Sequence, residues 1–271
     1  MDNRLKTDFI QTVTSASHAD ADVFNVEQVS FSYDKSQVAL DQVNLRIRSG
    51  ECAVILGPNG SGKSTLLKLM DGLYFPQSGA IRAFGSQLSE VAFQNDEFNF
   101  AFRRKVGLVF QDSDVQLFSP SVLEEVAFAP LQLGLTTQEV NQRVDEALHA
   151  LSIEKLRDRA PHRLSGGEKR KVAIASILSL RPEVWLLDEP TAGLDPRSQS
   201  WLVEFILDQH RLGKTVVVAT HDLSIVEHIA TCVYVFNEDH RLVAYGSPDE
   251  ILHDHALLHA CNLAHTHLPP H

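Results

Sequence analysis

The residues Gly57-Pro58-Asn59-Gly60-Ser61-Gly62-Lys63-Ser64 fit the spacing G-x-x-x-x-G-K-[ST]. Glycines at these intervals let a backbone wrap an anion with its N–H groups, and the helix that follows adds partial positive charge at its start. Lys63 then reaches the β and γ phosphates of a bound nucleotide, and the Ser64 hydroxyl is a hard-oxygen ligand for magnesium. Thr65 faces the helix start, where it can bond a phosphate oxygen. Further on, Gln111 follows the apolar run VGLVF, Asp188 and Glu189 follow VWLL, and Thr220-His221 follow TVVVA. Asp188 suits the magnesium ion and its waters. Glu189, one residue on and pointing elsewhere, is placed to accept a proton from an attacking water. His221 can hydrogen-bond a γ phosphate, and Gln111 can hold the water or a magnesium ligand. No N-K-x-D sequence is present to read a guanine edge, so ATP is expected over GTP, and nothing resembles the acceptor-substrate site of a kinase.

These groups need elements to hold them. CAVIL (52–56), VGLVF (106–110), VWLL (184–187) and TVVVA (215–219) are short continuous apolar runs, the pattern of parallel strands covered on both faces. Helical patterns fall between them, at Lys63 to Met70, Thr137 to Leu151, Glu168 to Leu180, Gln199 to His210 and Leu223 to Ala230. Strand and helix alternate, so the fold class is α/β. Open parallel sheets bind ligands beyond the carboxyl ends of their strands, which puts the glycine loop, the amide, both carboxylates and the imidazole on one rim. From Phe24 to Tyr33 and from Val43 to Ile47 apolar and polar residues alternate instead, which predicts a small antiparallel sheet with one buried face.

A second glycine turn, LSGGEKRK, spans Leu164 to Lys171. Ser165-Gly166-Gly167-Glu168 is a capping box, so the turn is either an ordinary helix start or a second anion site. This turn, after the first loop and before LLDEPTAGLD, resembles the signature of ATP-binding cassette (ABC) ATPases, and the resemblance covers roughly Phe24 to Ser247. It implies a RecA-like parallel core with an N-terminal antiparallel β subdomain, and an inserted helical subdomain at about 112–180. It further implies that Ser165, Gly166 and Gly167 bind the γ phosphate of an ATP held by another subunit. Tyr33 matches the aromatic that stacks on adenine, although its alternation with Val29 and Phe31 equally suits a core ring. Asp195 matches the loop that meets the dimer partner, and Gln111 begins the segment that senses a transporter.

The formal charge of −11 weighs against nucleic acid as a partner. No apolar run is long enough to span a membrane, and the N-terminus lacks the pattern of a secretion signal. Cys52, Cys232 and Cys261 form no CxxC pair, and the first two read as inert core thiols. The organisation expected is a flexible extension over 1–22, the ATPase domain over 23–248 and a histidine-rich tail over 249–271.

The stretch Phe110 to Leu135 is similar to the corresponding segment of energy-coupling factor ATPases, which import vitamins and transition metals. It departs from their usual form at Ser113, where they carry proline, and at Val115, where they carry aspartate. That similarity implies a subunit on the cytoplasmic face of a membrane. It would work with ATP and Mg2+ as a homodimer, or as a heterodimer with a second ABC ATPase, beneath integral membrane transporter subunits. The tail carries His253, His255, His259, His265, His267 and His271. Imidazole suits nickel, cobalt and zinc, although a solvated polar tail is the simpler explanation of the cluster. The leading expectation is the ATPase of a cobalt or nickel importer. A vitamin importer, a soluble cassette ATPase and a metal-binding chaperone with a regulatory nucleotide site stand as alternatives.

Overall fold

The computed structural model describes residues 22–34 and 37–264. The expected N-terminal extension lies outside the described residues except for Asp22, as do His265, His267 and His271. Two sheets form the molecule. The first is antiparallel and contains β1 (Asp22–Ser32), β2 (Val38–Arg48), β4 (Ser78–Ala83) and the short β5 (Ser86–Gln87), in the order β2-β1-β4-β5. The second has the order β10-β9-β3-β8-β7-β6. Its members are β3 (Cys52–Leu56), β6 (Val106–Val109), β7 (Val184–Asp188), β8 (Thr215–Thr220), β9 (Cys232–Phe236) and β10 (Leu242–Gly246). All neighbours in it are parallel except β10, which closes the edge antiparallel to β9.

Every residue of β3, β7 and β8 is buried, as continuous apolar runs require. Side chains alternate across the parallel sheet. Ala53, Ile55, Leu186, Val217 and Ala219 pack toward the antiparallel sheet and the first helix, α1 (Lys63–Met70). Cys52, Val54, Trp185, Leu187, Val216 and Val218 face the remaining layer. Helix α2 (Asp96–Lys105) precedes β6. Between β6 and β7 come α3 (Val122–Gln132), α4 (Thr137–Ala150) and α5 (Gly166–Leu178), packed on one another. Helix α6 (Pro196–Arg211) sets Phe205 edge-on against Trp185, with ring centroids 5.2 Å apart. Helices α7 (Leu223–Ile229), α8 (Pro248–His253) and α9 (His255–Ala260) are the last three among the described residues. The described part of the tail is thus folded. Ile251, Leu258 and Cys261 are buried in the core, and His255 and His259 share α9. Burial pushes the Cys52 and Cys232 thiols up to about 12, in keeping with inert core cysteines.

Candidate active site

The glycine loop leaves the end of β3 with Gly57 N–H donating to Thr220 O on β8, at 3.2 Å. At Gly62 the backbone has φ +103°, and a Cβ would stand 2.1 Å from the Ala39 carbonyl. Only glycine permits both that conformation and that approach. The turn folds Lys63 inward, so that its Nζ donates to Gly57 O at 2.8 Å and Pro58 O at 3.0 Å. Burial pulls the Lys63 ammonium below its ordinary pKa, and Glu189, with Oε1 3.3 Å away, holds it up. Ser61 Oγ is buried and makes no hydrogen bond among the described residues. Such a group, beside backbone N–H groups at a helix start, fits a phosphate oxygen.

Two carboxylates close the site from the end of β7. Asp188 Oδ1 accepts from Ser64 Oγ at 2.8 Å. Burial raises the Asp188 pKa, while the Ser64 hydrogen bond lowers it. A hydroxyl and a carboxylate so placed are the hard-oxygen donors that magnesium takes. Glu189 has left-handed backbone, with φ +40°, held by its N–H donating to Ala219 O at 2.8 Å. A non-glycine residue there carries strain on the order of 1–3 kcal/mol, a feature that clusters at functional sites. The turn gives Glu189 partners different from those of Asp188. Its Oε1 lies 3.0 Å from His221 Nδ1, and its Oε2 accepts from Thr220 Oγ1 at 3.2 Å. Lys63, Ser64, Asp188, Glu189 and His221 therefore form one cluster, drawn from α1, β7 and the end of β8.

Tyr33 follows β1 and is 45% exposed, which separates it from the buried Val29 and Phe31 with which it alternates. Its ring stands edge-on to Phe31 and Tyr74, with centroids at 5.2 and 5.7 Å. The Tyr33 hydroxyl lies 3.0 Å from Thr65 Oγ1. Thr65 is thus paired with an aromatic hydroxyl here, where the sequence suggests a phosphate oxygen.

At the second glycine turn the capping box is complete. Ser165 N–H donates to Glu168 Oε2 at 2.9 Å, and Glu168 N–H donates back to Ser165 Oγ at 3.4 Å. Gly166 has open space where a Cβ would be, whereas one on Gly167 would meet Ser198 Oγ at 3.0 Å. Ser198 also donates to Asp195 Oδ2 at 2.6 Å, and Asp195 caps α6 by accepting from Arg197 N and Ser198 N. Ser165, Gly167 and Asp195 therefore adjoin, and among the described residues no hydrogen bond or ion pair joins them to the first loop.

Gln111 is exposed just past β6, and among the described residues no hydrogen bond joins its side chain to the Ser64–Asp188 pair. Its backbone is held instead, because Arg170 of α5 donates to the carbonyls of Phe110 and Gln111. The sequence alone shows Arg170 only as a residue of a helix. Gln116 and Glu125 escape it as well. Gln116 Nε2 donates to Ala173 O at 3.0 Å, and buried Glu125 accepts from Phe118 N and Ser119 N at 2.9 and 2.7 Å. Beside this segment a mostly apolar cavity of about 320 Å³ runs between α2 and α3, lined by Phe100, Phe110, Phe128, Leu133 and Ile177.

A family model described as ABC transporter matches residues 40–192. The nickel import ATP-binding protein NikO of Rhodobacter capsulatus is 46% identical, over 89% of this chain and 95% of its own. The energy-coupling factor transporter ATP-binding protein EcfA of Methanothermobacter thermautotrophicus is 42% identical, over 89% of this chain and 76% of its own. Among solved structures, cbiO1 of Clostridium perfringens, part of the ABC transporter complex cbiONQ, superposes with a TM-score of 0.75. It is 38% identical and covers 90% of this chain and 95% of its own.

Proposed function

The chain belongs to the ABC transporter family and is an ATPase of that family, and from this premise we propose that it powers an energy-coupling factor importer of nickel or cobalt ions. The observation that carries the chemistry is the buried Glu189 carboxylate, 3.3 Å from Lys63 Nζ and 3.0 Å from His221 Nδ1, beside the Ser64–Asp188 pair.

Residues of the first loop, Gly57 to Thr65, bind the nucleotide phosphates, with Lys63 exchanging its carbonyl partners for phosphate oxygens. Tyr33, oriented by Phe31, Tyr74 and Thr65, stacks on the adenine. Ser64 and Asp188 would hold magnesium, which would supply positive charge to offset that of the phosphates. Glu189 takes a proton from the attacking water, and His221 holds that carboxylate while reaching toward the γ phosphate. Gln111 completes the site by holding the water or a magnesium ligand. The Ser165–Gly167 turn and Asp195 serve the ATP of a second chain, so two chains close on two nucleotides and reopen after hydrolysis. The pair is a homodimer, or a heterodimer with a second ABC ATPase.

The import role and the metal cargo draw support from the relatives' names and from the similarity around Gln111. The EcfA relative's name carries no cargo, so a vitamin or other ABC importer stands as the second reading. Among the described residues no helix is long and apolar enough to cross a membrane. Attachment to the cytoplasmic face then runs through membrane subunits, for which the apolar cavity at Phe100 and Phe128 is the docking place. Affinity purification of the tagged full chain from detergent-solubilised membranes tests this. A hydrophobic membrane protein should co-purify and be lost with Phe128→Glu, whereas recovery of the chain alone from the soluble fraction contradicts it.

A further inference from the structure

Arg170, in the second turn of α5, is 4% exposed. Its Nη1 donates to Phe110 O at 2.5 Å and its Nη2 to the Gln111 carbonyl, while its Nε is buried without a partner among the described residues. Burying a guanidinium is costly unless every donor is met, and here one is not. Stability alone therefore does not account for its presence. Two lesser ties flank it. Lys169 Nζ lies 2.6 Å from Asp114 Oδ1, and Gln116 bridges Phe110 N and Ala173 O at 3.2 and 3.0 Å. The start of α5 and the segment from Phe110 to Gln116 are thus fastened together, with Arg170 as the buried pin.

We infer that Arg170 is a positioning residue that links each subunit's own nucleotide site to that of its partner. The inference rests on the roles proposed above for Gln111 and Ser165. Helix α5 begins at the turn that serves the partner's ATP, whereas Gln111 serves the ATP bound by its own chain. A planar fork gripping two successive carbonyls fixes both the place and the direction of that backbone, which the point charge of a lysine cannot do. When the Ser165 turn engages the partner's nucleotide, α5 carries the Gln111 backbone with it. Phe110 and Ile177 line the same apolar cavity, so an occupant there presses on both sides of the pin.

The test uses the full chain with Arg170→Met, Arg170→Lys, Gln111→Ala and the Arg170→Met/Gln111→Ala double variant, with melting temperature recorded for each. Arg170→Met should keep the ATP affinity of the isolated subunit within about twofold while kcat falls about 10- to 100-fold, the scale of a misplaced reacting group. Arg170→Lys should recover part of that loss. The double variant should be no slower than Gln111→Ala alone, because Arg170 acts through Gln111. Losses that multiply in the double variant overturn the proposal and leave the reading of Gln111 intact. So does ATP affinity that falls in step with kcat, which marks a residue that only supports the fold. A Gln111→Ala variant with normal turnover overturns the reading of Gln111 and the proposal with it.

Discussion

Ser64 Oγ donates to Asp188 Oδ1 at 2.8 Å, joining the first turn of α1 to the end of β7 across 124 positions of the chain. The parallel sheet creates this contact, because β3 and β7 each pair with β8 and so end on the same rim. Glu189, one residue further, turns to Lys63 and His221 instead. Adjacent carboxylates thereby face different partners, one beside the Ser64 hydroxyl and the other beside Lys63 and His221.

Lys63→Ala should lose nucleotide affinity, since it removes a charged phosphate contact. It also leaves the buried Glu189 without its cation, so some loss of stability should accompany it. Titration with a fluorescent ATP analogue measures the first effect, and unchanged affinity would remove Lys63 from the phosphate site.

Ser165→Arg and Gly166→Asp should spare ATP binding by the isolated subunit and abolish hydrolysis. Gly166 has open space around its Cβ position, so the fold tolerates the aspartate while its charge repels phosphate. Mixing either variant with Lys63→Ala should restore partial activity, because the heterodimer has one composite site free of both defects. Equal loss of ATP binding in the isolated subunit would mean that the turn reads its own nucleotide.

Asp71 gives a pH dependence of known sign. It is buried at the end of α1 with Arg103 Nη1 2.8 Å away, and burial pushes its carboxyl from 3.8 up to about 6. The folded state therefore holds this proton more tightly than the unfolded chain. The contribution is full below about pH 4 and is lost as pH rises through 6. Relative to wild type, Asp71→Asn should gain stability over that window, by about 3 kcal/mol at most, and change no further above about pH 7. Urea unfolding across pH checks this, and a difference independent of pH would contradict it.

Much of this was legible in the sequence where local pattern and structure coincide. The continuous apolar runs of β3, β6, β7 and β8 stand out because parallel strands are buried on both faces, and α1 follows the glycine loop with the limits its pattern suggests. Helix α2 was not legible. Its sequence, DEFNFAFRRK, spaces Phe98, Phe100 and Phe102 at the two-residue period of a strand, and Phe98 and Phe102 are held by Phe93 from outside the helix. Helix α3 carries Pro130, which argues against a helix from sequence alone. Strand β10 exists as an edge partner of β9, and Arg170 has its meaning in carbonyls about 60 positions away. Such contacts are tertiary and have no local period.

The histidines are best tested by point substitution, because Leu258 and Cys261 of the same segment are part of the core. Replacing His253, His255 and His259 with alanine should weaken nickel binding by the purified protein if these imidazoles hold metal. Metal uptake should fall modestly at most, since in the proposed importer the translocation path would lie in the membrane subunits. Nickel binding unchanged by the triple substitution would make these imidazoles ordinary surface groups.

The most direct measurement is cellular accumulation of radioactive nickel or cobalt by the assembled transporter, with wild-type chain or Glu189→Gln at matched abundance. Removing the base leaves the phosphate contacts in place, so the variant should still bind MgATP, collect as an ATP-dependent dimer and lose about 100-fold or more of its turnover. Accumulation should then fall to the level of cells lacking the transporter. Normal uptake or normal ATP turnover with Glu189→Gln would contradict the assignment of this chain as the motor of a metal importer driven from Glu189.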